Sequence, residues 1–235
     1  MSTPARLEPP AARRHGAAMA MAAAMAAIAA APTLLVGCAS TSAPPQLYQL
    51  RATPPVPGAL VLLHALPPQT GGPVLQLLQP VTLPEVLERD AILVEQGQSG
   101  LQALPGHRWA EPLRDAVPRL LRQDLATLLG PAQVWVAPLP AGLVVVQQLR
   151  VDVLALQTNA ARNQVQLQVR WTLAAPGAAS PAPAGPAPGA PVIRVETLSA
   201  PVNGTDVDAI VAAHRMVLWR LAEAVAASVK ARAAR

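Results

Sequence analysis

The stretch Asn163 to Leu173, NQVQLQVRWTL, alternates without a break. Val165, Leu167, Val169, Trp171 and Leu173 are apolar, and Gln164, Gln166, Gln168, Arg170 and Thr172 between them are polar. Successive side chains of a strand point to opposite faces, so this pattern specifies a strand with one buried and one wet face. Gln147 to Leu156 (QQLRVDVLAL) alternates in the same way, with Leu149, Val151 and Val153 against Arg150 and Asp152. The polar QTNAAR between the two is short enough to predict an antiparallel hairpin. Any fold that contains this hairpin must cover one face of a sheet and leave the other to water.

The covering elements are visible as a second period. Trp109, Leu113, Val117, Leu120, Leu121, Leu125 and Leu128 recur at spacings of three and four, which predicts one apolar helix face ended by Gly130-Pro131. Pro118 predicts a bend in that helix. Glu111 with Arg114, and Asp115 with Arg119, read as supporting charge pairs on its wet side. A last helix follows Asn203-Gly204, with Thr205 and Asp208 as its capping box and Ile210, Val217, Leu218, Leu221, Val225 and Val229 on its apolar side. Shorter strands are expected at Leu47 to Arg51, Ala59 to Ala65, Val74 to Leu78, Ala91 to Gln96 and Val192 to Leu198, with Gly97 to Gly100 as a turn. Pro84 opens a short helical turn, with Glu85 near its positive end. Ala174 to Pro191 is Pro/Ala/Gly low-complexity sequence without a face to bury, and is expected to be a loop. Together these elements predict one α+β domain, an antiparallel-rich sheet with two long helices packed on one face.

Composition narrows the function classes. The 235 residues contain no Phe and a single Tyr, Tyr48, so core volume comes from Leu, Val, Ala and the four Trp residues. The formal charge is +5, yet Arg6, Arg13 and Arg14 precede Cys38. From Cys38 onward 15 basic residues face 12 acidic ones. No basic stripe interleaved with aromatic residues is present, which argues against nucleic-acid binding. One cysteine excludes an internal disulfide framework and a cysteine-based zinc cluster.

That cysteine sits in a telling place. Residues 1–15 are polar and carry three arginines, Gly16 to Ala31 is apolar and uncharged, and PTLLVGC follows. This is the order of a secretory signal: a positive region, an apolar region, then a small-residue cleavage site. A permanent anchor helix is the competing reading, but Pro32 interrupts the run and no positive flank follows it. Leu35-Val36-Gly37-Cys38 resembles the lipobox of bacterial lipoproteins. That resemblance implies removal of residues 1–37, a diacylglycerol on the Cys38 sulfur, and an acyl chain on its new amino group. Several chains on one residue make a lasting anchor where a single chain binds marginally. Residues 38–46 then form a lipidated tether before a domain spanning 47–235. Ala39 after the cysteine implies, by the same resemblance, sorting to the outer membrane.

Chemistry-bearing motifs are sparse. His64, His107 and His214 show no metal-ligand spacing, and there is no G-x-S-x-G elbow, P-loop or paired-carboxylate motif. His214 lies beside the apolar seam of the last helix and reads as a satisfied, semi-buried histidine. Catalytic and metal-binding residues are assigned to none, and no cofactor beyond the lipid on Cys38 is expected. A hydrolase would need His, Ser and acid side chains to converge in the fold.

One combination of segments is more specific. LYQL (Leu47 to Leu50), LPEVLERDAILV (Leu83 to Val94), HRWAEPLRDAVPRLLRQDLATLLG (His107 to Gly130), LRVDVLAL and VQLQVRWTL follow the lipobox in order. The chain thereby resembles the ABC-type transport auxiliary lipoproteins, the PqiC-like lipoproteins of MCE transport systems. Leu83, Pro84, Leu87 and Arg89 match the family's L-P-x-x-L-x-R, Arg108 to Leu113 its R-W-A-E-P-L, and Arg170 to Leu173 its R-W-x-L. Ala59 to Gly72 and the long Pro/Ala loop depart from that pattern.

The resemblance implies a non-enzymatic accessory at the outer membrane, facing the periplasm and supporting envelope integrity. Its expected partners are the membrane, through the lipid anchor, an MCE-domain protein that bridges the periplasm, and inner-membrane transport components. Phospholipid or another apolar molecule is the expected cargo, and self-association into a homo-oligomer is left open. Leu83, Pro84, Leu87, Arg89 and Trp109 are the candidate docking residues. The bland alternative makes Leu87 and Trp109 core and Pro84 a turn former. A competing function, from another class, is a structural or assembly lipoprotein that activates or scaffolds an envelope machine.

Overall fold

The architecture comes from a computed structural model that describes residues 43–55, 74–177 and 190–234. Cys38, the 1–37 signal, most of the 38–46 tether, the Ala59 to Ala65 strand and residues 178–189 of the Pro/Ala/Gly loop lie outside the described residues. Within them, one mixed α/β domain is built on a single eight-stranded sheet. In chain order the strands are β1 (Gln46–Tyr48), β2 (Val74–Leu77), β3 (Ala91–Gln96), β4 (Gly100–Trp109), β5 (Val134–Trp135), β6 (Val145–Thr158), β7 (Gln164–Ala174) and β8 (Val192–Pro201). The helices are α1 (Leu113–Leu129) and α2 (Val207–Ala233).

The expected hairpin is the spine of the sheet. β6 pairs antiparallel with β7 along its length, and β7 pairs antiparallel with β8. The alternation decides the faces: Val165, Leu167, Val169, Trp171 and Leu173 are all fully buried. Asn159 holds the turn, since its Oδ1 accepts the backbone N–H groups of Asn163 and Gln164.

The sheet is mixed rather than antiparallel-rich throughout. β3 and β4 are antiparallel, but β1 with β4, β2 with β5, β2 with β6 and β3 with β6 are parallel. The physical reason lies in where the short strands add. β2 and β3 both join the free edge of β6, β2 near its start and β3 at Thr158 near its end. They arrive from distant parts of the chain, so no hairpin forces them antiparallel.

No strand is expected between Gly100 and Trp109, yet β4 fills that span and contains Pro105 and Gly106. The chain tolerates them through a bulge. Ala91 faces Arg108 while Leu93 faces Ala103, so extra residues of β4 are extruded there. Gly106 has φ +75, a conformation that suits a residue without Cβ. The strand continues through Trp109, which therefore ends β4 and is not part of the helix that the sequence pattern suggested.

α1 begins at Leu113 and runs through Pro118 to Gly130, whose N–H closes the last turn on the Ala126 carbonyl at 2.9 Å. Its charge pairing differs from expectation. Arg119 reaches Glu111 at 2.6 Å, and Arg114 lies 3.8 Å from the adjacent Asp115. The α2 cap also differs: Asp206, not Thr205, is the N-cap, with its Oδ1 accepting from Ala209 N–H at 2.8 Å.

The two helices pack together, α2 against β7 and β8, and α1 over β5 and the short 3-10 turns. One apolar cluster unites them with the inner face of the sheet, from Leu75, Leu149 and Trp171 to Leu120, Leu121, Leu218 and Leu221. Such burial removes apolar surface at roughly 25 cal/mol per Å2, the main term holding the layers together. Trp109, Trp171 and Trp219 are buried, as the absence of Phe suggested, whereas Trp135 is only half-buried.

Candidate docking surface

The segment after β2 carries the docking candidates, and its path explains which are accessible. Val81 is buried, and Thr82 bonds alongside β6: its N–H donates to the Val151 carbonyl, and its carbonyl accepts from Val153 N–H. Alternation then places Leu83 and Pro84 at the boundary, both half-buried. Pro84 caps a 3-10 turn, Glu85 to Glu88, and its carbonyl accepts the Leu87 N–H at 2.9 Å. This matches the expected turn opened by Pro84.

The five candidates divide into two groups. Leu87 and Trp109 point into the core, each about 6% exposed, so their side chains present no solvent face. Trp109 stacks its edge against the His214 ring, with centroids 5.4 Å apart. Leu83, Pro84 and Arg89 remain accessible. Arg89 is followed by Asp90, which holds Arg108 at 2.6 Å, and the Asp90 carbonyl accepts the Trp109 N–H. The 83–89 turn is thus pinned to the end of β4.

Leu83 lines an open groove of about 600 Å3 between this segment and α1. Pro80, Val81, Pro118 and Val136 add apolar wall; Arg114, Arg119 and Arg122 form a ridge on the α1 side that Asp115 interrupts, and Glu88 also lines the groove. Sequence reasoning overlooked the ridge because helix periodicity marks its members only as the wet side of α1. Arg119 is held by Glu111, whose hydrogen bond raises the guanidinium pKa above its usual value.

A second constellation lies between the helices. Arg215 on α2 grips Asp124 on α1 through both carboxylate oxygens, and its Nε donates to the Arg51 carbonyl at 2.8 Å. Arg119 donates to the neighbouring Leu50 carbonyl. The two arginines therefore fasten the chain just after β1 to the helical layer. Burial pushes the Asp124 carboxyl up, to about 6, against the opposing pull of Arg215. His214 is also buried, and burial lowers its pKa to about 4 although its Nδ1 contacts the Ile210 carbonyl. This fits the satisfied histidine expected from sequence.

No group of residues fit to hold a metal ion occurs among the described residues. The partner of His107 is the Tyr48 hydroxyl at 3.0 Å, and that of His214 is a backbone carbonyl. Neither is a serine or a carboxylate; His64 lies outside the described residues. No helix among the described residues is long and apolar enough to cross a membrane.

Several solved structures share the fold. A crystal structure titled as an uncharacterized protein is 16% identical, with a TM-score of 0.58, and the match covers 80% of this chain and 99% of that one. Protein XCC0632 from Xanthomonas campestris, of family DUF330, is 18% identical with a TM-score of 0.52, over 77% and 92% of the two chains. No curated protein sequence matches this chain. The sequence pattern of the ABC-type transport auxiliary lipoprotein component matches residues 62–226, taking in the docking segment, α1, the hairpin and most of α2. The chain belongs to the ABC-type transport auxiliary lipoprotein family, a family of transport accessories rather than of known enzymes.

Proposed function

We propose that this protein is the lipid-anchored accessory subunit of an ABC-type envelope transport system, held in the outer membrane by acyl chains on Cys38 and facing the periplasm. The family match over residues 62–226 carries this reading, because it spans both the sheet and the helices. The lipobox Leu35 to Cys38, placed before a short polar tether, supports the anchor. The partners are an MCE-domain protein that bridges the periplasm and the inner-membrane transport components, with phospholipid or another apolar molecule as cargo and envelope integrity as the outcome.

Docking runs through the accessible part of the 83–89 turn and the groove beside it. Leu83 and Pro84 supply the apolar contact, Arg89 the charged one, and Leu87 and Trp109 hold the turn from beneath. Mass spectrometry of the mature N-terminus tests the anchor. A chain that starts at a triacylated Cys38 agrees with it, and an unmodified Cys38 still joined to Gly37 overturns it. Co-purification from solubilised envelopes tests the docking surface: Arg89→Ala should lose the MCE-domain partner while the melting temperature is kept.

A further inference from the structure

β8 is the edge of the sheet. It pairs with β7 alone and, among the described residues, nothing pairs with its other side. Soluble proteins usually blunt such an edge with a proline, a lysine, a bulge or a very short strand, because its free N–H and C=O groups template another strand. Between Val192 and Ala200 β8 carries no proline, lysine or bulge; its charged side chains are Arg194 and Glu196, and Arg220 donates to the Ser199 carbonyl near one end. The strand is ten residues long and pairs with β7 without a register shift. Two β-branched apolar side chains, Ile193 and Val195, stand on the outer face at 62% and 67% exposure.

Its charges decide what can cover it. Arg194 and Glu196 flank Val195, both on the inner face, opposite Trp171 and Val169 of β7. Within one chain they form a pair at 3.6 Å. Now let a second β8 run antiparallel beside the first with Val195 facing Val195. Every residue then meets the one equally far on the other side of Val195. Arg194 meets Glu196 and Glu196 meets Arg194. Val192 meets Leu198 on the inner face, and Ile193 meets Thr197 on the outer face. Each of these is a favourable cross-strand pair, and no like charges are opposed. A single-sign edge would repel its own copy; this one reads as its own complement. Shifting the register by one residue would set inner-face side chains against outer-face ones, so the match is specific.

The geometry points to β8 as a twofold interface between two copies of this chain, joining their sheets edge to edge about Val195. The contact is isologous and therefore closes at a dimer. Backbone hydrogen bonds between the strands carry it, as in strand addition generally, and the paired side chains set the register. The docking turn at 83–89 takes no part, and the interface does not depend on the transport reading.

Disulfide trapping reads the register directly. In the full chain purified from membranes in mild detergent, Val195→Cys should give a covalent dimer under gentle oxidation. Wild type is the control, because Cys38 is the other cysteine. Ile193→Cys and Thr197→Cys should each trap poorly alone and well when co-expressed. Arg194→Glu and Glu196→Arg should each weaken the dimer by about tenfold in sedimentation, and the double reversal should restore it. Circular dichroism melts of each variant separate lost pairing from lost folding. The inference is overturned if wild type sediments as a monomer at micromolar concentration. It is equally overturned if Val195→Cys traps no more than Ile193→Cys alone, or if an oligomer forms that the charge reversals do not touch.

Discussion

Arg215 donates through Nη1 and Nη2 to the two carboxylate oxygens of Asp124, at 2.8 and 2.5 Å, across the contact between α2 and α1. Both side chains are almost wholly buried. A buried ion pair gives up two hydration shells, so its net worth is small, but removing one partner strands the other charge in an apolar core. Arg215→Met or Asp124→Leu alone should therefore cost about 3 to 5 kcal/mol in urea unfolding, whereas the two together should cost far less. Equal losses for the single and the double variants would show that the pair is not the source.

Histidine 214 should make the protein acid-sensitive in a defined window. Its pKa falls from 6.5 when unfolded to about 4 when folded, so the unfolded chain takes up the proton first. The resulting stability is present above pH 6.5 and drains away as pH falls toward 4, on the order of 3 kcal/mol in all. Asp124 acts with the opposite sign. Its folded pKa is raised to about 6, so its contribution is present below about pH 4 and is lost as pH rises toward 6. In wild type the two slopes oppose each other over this range. His214→Gln should leave unfolding free energy that falls as pH rises from 4 to 6, measured by denaturant titration at each pH.

The cap of α2 gives a sharper local test. Asp206→Ala removes the oxygen that accepts the Ala209 N–H and should cost about 1 kcal/mol. Thr205→Ala should be nearly neutral, because that side chain caps nothing in this structure. Thermal melts of the two variants distinguish an Asp206 cap from the Thr205 to Asp208 box that the residue pattern suggests.

Within the 83–89 turn, core and surface should separate cleanly. Leu87→Ala should destabilise by about 2 to 5 kcal/mol, since Leu87 is buried beneath α1. Arg89→Ala should change stability by less than about 0.5 kcal/mol, because Arg89 is an exposed side chain at the end of the turn. Differential scanning fluorimetry of the purified chain is sufficient to read both. A large loss at Arg89 would place it in the folding core and remove it from the docking surface.

Arg119 and Arg215 should act together on the chain that leads out of β1. They hold the carbonyls of Leu50 and Arg51. Arg119→Ala should lower stability by about 1 kcal/mol and speed amide exchange around residues 47–51 more than elsewhere. Uniform exchange across the domain would show that this attachment is not local.

What could be read in the sequence follows a physical line. The faces of β6 and β7, the presence of a strand at β8, the apolar stripe of α1 and the stop at Gly130-Pro131 were legible, because each depends on which neighbours along the chain meet water. The family resemblance was legible for the same reason, being carried by short contiguous segments. Of the docking candidates, the sequence placed Pro84 at a turn and marked Leu87 and Trp109 as either core or contact. Only the packed structure buried those two and left Leu83, Pro84 and Arg89 accessible beside the arginines of α1. Tertiary structure also turned Pro105-Gly106 into a bulge inside β4, because β3 and the core beneath could hold the strand on both sides of it. It set β2 and β3 parallel to one edge of β6, and it brought Asp124 to Arg215 across 91 positions of chain. Local alternation can specify which side of an element faces inward. Which distant elements then share that interior is decided only when their apolar faces are buried together.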